Sequence, residues 1–107
     1  MKRGDVVTIA LPGAYGKPRP ALVIQSDYFE TLASVTVLPV TSALRAAPLL
    51  RVPVEPEAGN GLRKRSQIMV DKAQTVPRDK VGAIVGKLHA DTLLAVDRAL
   101  AVFLGIA

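Results

Sequence analysis

The chain has no cysteine and no tryptophan, and it contains one histidine, His89. Without cysteine there is no disulfide framework and no thiolate metal site. The usual Ser-His or Cys-His nucleophile arrangements are not available either. No Gly-rich phosphate loop occurs, and the nine carboxylates are scattered without metal-ligand spacing. We therefore expect no metal and no cofactor, and any chemistry must use Arg, Thr or Ser, Asp and backbone amides.

Aromatic residues are scarce, with two Tyr and two Phe. A protein that binds single strands by stacking their bases usually presents more rings, so nucleic-acid contact here should rest on phosphates and hydrogen bonds. No apolar run approaches the roughly 20 residues that span a bilayer. No uninterrupted apolar stretch of the kind found in signal peptides follows the basic start at Met1–Asp5, so we expect no signal peptide. These absences favour a cytoplasmic protein without a membrane partner.

What the chain does have is apolar residues and positive charge. Half of its 107 residues are hydrophobic, which predicts a single domain over residues 1–107 with its own core. Its 14 basic and 9 acidic residues give a formal net charge of +5. This balance suits a polyanionic partner, although net charge supports a statement about association and not about fold.

Short β-branched and apolar runs bounded by turn residues predict seven strands. They are 5–11, 20–25, 35–40, 50–54, 66–70, 73–76 and 81–88. The period then changes, and apolar residues at three- and four-residue spacing predict an amphipathic helix over 90–104, ended by Gly105. Many short strands and one late helix predict a mainly β fold, a small bent sheet or barrel capped by a C-terminal helix.

The tripeptide Pro18-Arg19-Pro20 stands immediately before the apolar run 21–24. Each proline fixes its own φ, and the residue before a proline is driven out of the α region. Arg19 is therefore predicted to be extended at the entrance of a strand. Its guanidinium is a rigid fork of donors that matches phosphate, and a solvated arginine in a proline-rich loop is the alternative.

Three blocks together resemble the MazF/PemK family of toxin endoribonucleases. They are 3–7 (RGDVV), 19–27 (RPALVIQSD) and 37–42 (VLPVTS), and the similarity continues in order through the final helix. The resemblance implies a small SH3-like barrel of the CcdB/PemK type that forms homodimers. It also implies metal-free, sequence-specific cleavage of single-stranded RNA, and inhibition by a cognate antitoxin protein. The strand 35–40 and the final helix are the candidate dimer surfaces.

Carried over onto this sequence, the catalytic arginine of the family is Arg19 and the catalytic threonine is Thr41. Asp71 falls where some members have an acidic residue in the RNA groove, where it would act as a base or bind a base edge. A structural ion pair of Asp71 with Lys72 or Arg65 is the alternative. Metal-free cleavage uses attack of the ribose 2′-OH on the adjacent phosphate, leaving a 2′,3′-cyclic phosphate and a 5′-OH, and requires donors for the charge that builds on the phosphate oxygens.

Lys17, Ser42, Arg63, Lys64 and Arg65 are the candidate RNA-binding residues, because they flank these positions with positive charge or a hydroxyl. For Ser42, capping a turn is the alternative. The chain departs from certain relatives at Met69, where they carry a second functional arginine, and in the loop 13–18, which has no histidine.

Two other functions are compatible with the same fold. One is a CcdB-like poison of DNA gyrase, although that relative relies on a tryptophan near its C-terminus and this chain has none. The other is a barrel that only binds and has lost catalysis.

Overall fold

A computed structural model describes residues 1–10 and 17–107 of the chain. Three single-turn 3-10 helices cover Asp27–Phe29, Val70–Lys72 and Arg78–Lys80. The remaining elements are β1 (Asp5–Ala10), β2 (Pro18–Val23), β3 (Ser34–Thr41), β4 (Arg51–Val54), β5 (Ser66–Met69), β6 (Gln74–Pro77), β7 (Val81–Lys87) and α1 (Ala90–Leu104). The mainly β prediction is confirmed, and no helix in the described ranges is long and apolar enough to span a membrane.

The strands form one antiparallel sheet in the order β4-β5-β3-β2-β1-β7. Strand β3 is the centre of this sheet because it has three partners. It pairs with β2 along one side, and along the other side with β6 at Ser34–Val37 and then with β5 at Val40 and Thr41. Pro39 lies in the interval between β6 and β5. This agrees with the expectation that a proline in a strand stands where no ladder bond is required of it.

Two apolar clusters lie on opposite faces of the strands. Alternate residues of β2 and β3, such as Leu22 and Leu38, pack with Val96 of α1. The residues between them, such as Ala21 and Val37, face the inside of the bent sheet with β1, β6 and β7. The side chains of β3 are therefore used inside the chain, so the expectation that the strand 35–40 supplies a dimer surface is wrong.

The two edges of the sheet are joined by a loop and not by a ladder. The connection from β4 to β5 turns back at Gly59–Gly61 and lies against β7, where the Lys87 N–H donates to the Gly59 carbonyl at 2.7 Å. Gly61 has φ +74°, and a Cβ there would meet the backbone carbonyl of Val85. The fold is thus barrel-like, as predicted, with the closure made by this loop.

The second strand begins two residues earlier than predicted, and the difference concerns Arg19. The sequence places Pro18 in a loop over 13–20, whereas the structure includes it in β2, opposite Ala10 of β1. The geometry that proline imposes is already extended, so the tripeptide continues the strand. Residues 13–16 of that loop and Leu11 at the end of the first predicted strand lie outside the described residues.

The helix has the predicted bounds. His89 is its N-cap, and its Nδ1 accepts a hydrogen bond from the Asp91 N–H at 3.2 Å. Gly105 ends the helix in the left-handed conformation that C-terminal glycines commonly adopt.

Candidate active site

Arg19 and Thr41 lie on neighbouring strands, each just beyond the stretch over which those strands are paired. The pairs of β2 with β3 run from Val23–Val37 to Ala21–Pro39. Arg19 and Thr41 each lie two residues beyond the last of these pairs, so the same register continued would set them opposite each other on one face, since side chains alternate between faces with a period of two. Both residues belong to strands over this stretch, and the Arg19 side chain is exposed.

The ladder between β2 and β3 stops before this pair for a chemical reason. The Ile24 N–H donates to the Thr36 carbonyl at 3.2 Å, so the backbone of every second residue, Leu22, Pro20 and Pro18, also faces β3. The two prolines have no N–H to donate. The pairing of β2 with β3 therefore ends immediately before Arg19 and Thr41.

Thr41 continues this row of side chains toward the far edge of the sheet. It is paired with Gln67 of β5, and Gln67 is paired with Pro53 of β4. On the other side, Arg19 is paired with Ile9 of β1. The row lies on the face of the sheet away from α1, where Ile9 forms part of the inner core.

The hydroxyl of Thr41 closes a short turn at the end of β3. Its Oγ1 accepts a hydrogen bond from the Ala43 N–H at 3.0 Å. The turn-forming role that was the alternative for Ser42 is thus carried by Thr41, and Ser42 is exposed beside it. Thr41 is half-buried, and a Thr hydroxyl that accepts one hydrogen bond keeps its own hydrogen as a donor, which suits contact with a phosphate oxygen.

Lys17 and Arg65 flank this end of the sheet. Lys17 immediately precedes β2, and Arg65 immediately precedes β5, two residues before Gln67. Arg63, Lys64 and Arg65 are all exposed, and Arg65 forms an ion pair with Glu55. The arrangement therefore gathers the predicted RNA-binding residues around the ends of strands β2, β3 and β5, and one of them shares its charge with a carboxylate.

Asp71 does not belong to this row. It lies in the 3-10 helix after β5, and its carboxylate is 3.4 Å from the ammonium of Lys72. The ion pair with Lys72 that the sequence left open is thus present, whereas Arg65 pairs with Glu55. No hydrogen bond or ion pair links Asp71 to Arg19 or Thr41 among the described residues.

Sequence reasoning missed two side chains beside Thr41, namely Gln67 and Arg51. The guanidinium of Arg51 donates to Gln67 Oε1 at 3.0 Å and contacts the sulfur of Met69 at 3.7 Å. An open hollow of about 220 Å³ lies next to them, lined by Arg45, Arg51, Pro53, Gln67 and 46–48. A signal was available for Arg51, because it is the one charged residue of the otherwise apolar strand β4.

Charges at the other end of the sheet are paired. Arg3 binds Asp97 of α1 at 2.6 Å, and Lys2 binds Glu30 at 2.7 Å. The hydrogen bond and the charge of Glu30 raise the pKa of Lys2. These pairs tie β1 to the helix and to the connection after β2, so they serve the fold.

The comparison with protein families agrees with this geometry. Residues 2–104 match the model of the PemK-like, MazF-like toxins of type II toxin-antitoxin systems. The chain belongs to this family. It is 52% identical over 108 residues to a probable endoribonuclease MazF of Mycolicibacterium smegmatis, covering 100% of this chain and 99% of the relative.

Solved structures support the same assignment for the toxin. The Mycobacterium tuberculosis toxin MazF-mt6 superposes with a TM-score of 0.82 at 29% identity, covering 96% of this chain and 98% of its own. A MazE-MazF structure from Deinococcus radiodurans gives a TM-score of 0.81 at 25% identity, covering 100% and 98%. The family and the fold expected from the three sequence blocks are therefore confirmed for this MazF-like chain.

Proposed function

We propose that this toxin is a metal-independent endoribonuclease that cleaves single-stranded RNA at short sequence motifs. The observation that supports the proposal is the register of β2 and β3, whose last pair, Ala21 with Pro39, lies two residues before Arg19 on one strand and two residues before Thr41 on the other. The names of the relatives point to the same activity, since the MazF of Mycolicibacterium smegmatis is described as a probable endoribonuclease. Such an enzyme acts on messenger RNA in the cytoplasm.

The chemistry needs only groups that these residues carry. The ribose 2′ oxygen attacks the adjacent phosphorus while its proton leaves to a base, the bond from phosphorus to the 5′ oxygen breaks, and the departing 5′ oxygen takes a proton from the protonated base or from water. The products are a 2′,3′-cyclic phosphate and a 5′-OH. Arg19 stabilises the charge that builds on the phosphate oxygens with its fork of donors, and Thr41 donates its hydroxyl to hold the phosphate in place.

Asp71 is the carboxylate of this proposal. As a base it would take the proton of the 2′-OH, and as a binding residue it would accept hydrogen bonds from a base edge. Its carboxylate remains partly exposed, with 22% of the side chain accessible beside Lys72.

Within residues 1–10 and 17–107, no three His, Asp or Glu side chains form a group that could hold a metal ion.

Positive charge at this end of the sheet suits the RNA backbone. Lys17, Ser42 and the cluster 63–65 would follow the phosphates on either side of the cleaved bond. The MazE-MazF structures among the relatives support a cognate antitoxin as the protein partner. We further propose a homodimer, for which the exposed apolar side chains of β7 and α1, such as Ile84 and Val102, are available.

The decisive experiment is incubation of the purified toxin with a long single-stranded RNA in EDTA, followed by mapping of the cut sites and of their end groups. Discrete cuts that carry a 2′,3′-cyclic phosphate and a 5′-OH are the expected result. Intact RNA across varied sequences would contradict the proposal. Cleavage that EDTA abolishes, or ends that carry a 5′-phosphate, would contradict its mechanism.

A further inference from the structure

The side chain of Gln67 binds the backbone of the segment that follows Thr41. We call the hydrogen bonds that Gln67 and Arg51 make to this segment the clasp. Its amide makes two hydrogen bonds with the same residue: Arg45 N–H donates to Oε1 at 3.1 Å, and Nε2 donates to the Arg45 carbonyl at 3.0 Å. Gln67 is also the cross-strand partner of Thr41. The side chain next to Thr41 therefore fixes the chain four residues further on.

Arg51 completes this clasp from β4. One nitrogen of its guanidinium donates to Gln67 Oε1 at 3.0 Å and to the Ala43 carbonyl at 2.8 Å. The segment after β3 is thus held at two points, at Ala43 by Arg51 and at Arg45 by Gln67. Arg51 is half-buried, which limits its motion.

The clasp acts on the hydroxyl of Thr41 through Ala43. The Ala43 N–H that donates to Thr41 Oγ1 belongs to the residue whose carbonyl Arg51 holds. A hydroxyl has one hydrogen and two acceptor sites, and an amide that occupies one acceptor site restricts where the hydrogen can point. We propose that Gln67 and Arg51 are positioning residues that orient the Thr41 hydroxyl toward the phosphate, an inference that rests on the proposed function.

The hydrogen bonds of Gln67 favour this positioning role over a role in which its amide reads an RNA base. Its Oε1 accepts from both Arg45 and Arg51, and its Nε2 already donates to a carbonyl. An amide oxygen has two acceptor sites and an amide nitrogen has two donors, so one donor is left over. Bidentate reading of a base edge needs a donor and an acceptor together.

Gln67→Met tests the inference, with Gln25→Met as a matched control. Gln25 likewise accepts from a backbone N–H, that of Thr36, and donates to a backbone carbonyl, that of Phe29, each at 3.1 Å. It does so near the opposite end of β3. Both variants should lower the melting temperature by similar amounts.

Only Gln67→Met should slow RNA cleavage. We expect kcat to fall about 10- to 100-fold with KM within about twofold, since small misplacement of a catalytic group costs rate and not binding. Gln67→Glu keeps the acceptor for Arg45 and Arg51 and loses the donated bond, so its kcat should fall between those of Gln67→Met and the wild type. Unchanged kcat in Gln67→Met, or a changed cleavage sequence, would overturn the inference.

A double-mutant cycle separates positioning from general support of the fold. If Gln67 acts through the Thr41 hydroxyl, Gln67→Met should change the residual rate of Thr41→Ala by less than about twofold. A loss as large as in the wild-type background would show that Gln67 acts by another route and would overturn the inference.

Hydrogen exchange tests the clasp without any RNA. The Ala43 amide should exchange faster in Gln67→Met than in the wild type and in Gln25→Met, because the segment 43–45 that carries this amide is no longer held in place. If the wild-type toxin cleaved no RNA, the proposed function would fail while this measurement still judged the clasp. Equal exchange of Ala43 in all three proteins would overturn the inference.

Discussion

Replacement of Arg19 by alanine should remove most RNA cleavage and leave the fold nearly intact. The Arg19 side chain is exposed, so its loss should change the free energy of unfolding by no more than about 0.5 kcal/mol. For a chain of this length that corresponds to a shift in melting temperature of roughly 2–4 °C. Loss of one donor that stabilises the transition state costs about 10²- to 10³-fold in kcat, or about 2.7–4 kcal/mol.

The assay is the initial rate of cleavage of a fluorogenic oligonucleotide that contains one mapped site, measured beside thermal unfolding of the same samples. Arg19→Lys keeps the charge without the fork and should fall between alanine and the wild type. Arg98→Ala, an exposed arginine on α1, is the control and should retain full activity. A folded Arg19→Ala protein with more than about a third of the wild-type rate would refute the reasoning.

Two further predictions concern the closure of the sheet and the RNA backbone. Gly61→Ala should lower the free energy of unfolding by about 1–3 kcal/mol more than Gly59→Ala in urea denaturation, since both have positive φ and only Gly61 lies against the Val85 carbonyl. Equal losses would mean that this contact does not hold the edges together. Lys17→Ala should reduce the slope of log affinity against log salt by about 0.7 for single-stranded RNA, and an unchanged slope would remove Lys17 from the phosphate contacts.

The elements of this fold could be predicted from local patterns because those patterns are strong. The three- and four-residue spacing of apolar residues sets the helix, and His89 and Gly105 mark its ends. The strands carry β-branched runs whose alternation fixes two buried faces in β2 and β3. Their bounds shift by one or two residues because the ends of a strand depend on partners that local composition does not reveal.

Only part of the candidate site could be predicted from the sequence. Arg19 and Thr41 stand in blocks that the family resemblance identifies, and their roles stay predictions. Gln67 and Arg51 carry no motif, since an amide or a guanidinium that binds backbone groups has no characteristic spacing. Their relation to Thr41 exists only once β3 pairs with β5 and β4 pairs with β5.

The two prolines around Arg19 have a consequence beyond stiffness. Their missing N–H groups face β3, so β2 keeps its pairing with β1 at Arg19 while its pairing with β3 ends at Ala21. Arg19 is therefore anchored on one side by Ile9 and released on the side of Thr41. The same prolines that hold the arginine extended therefore also end the pairing of β2 with β3 just before Arg19 and Thr41, the two residues that the proposed function requires to contact one phosphate.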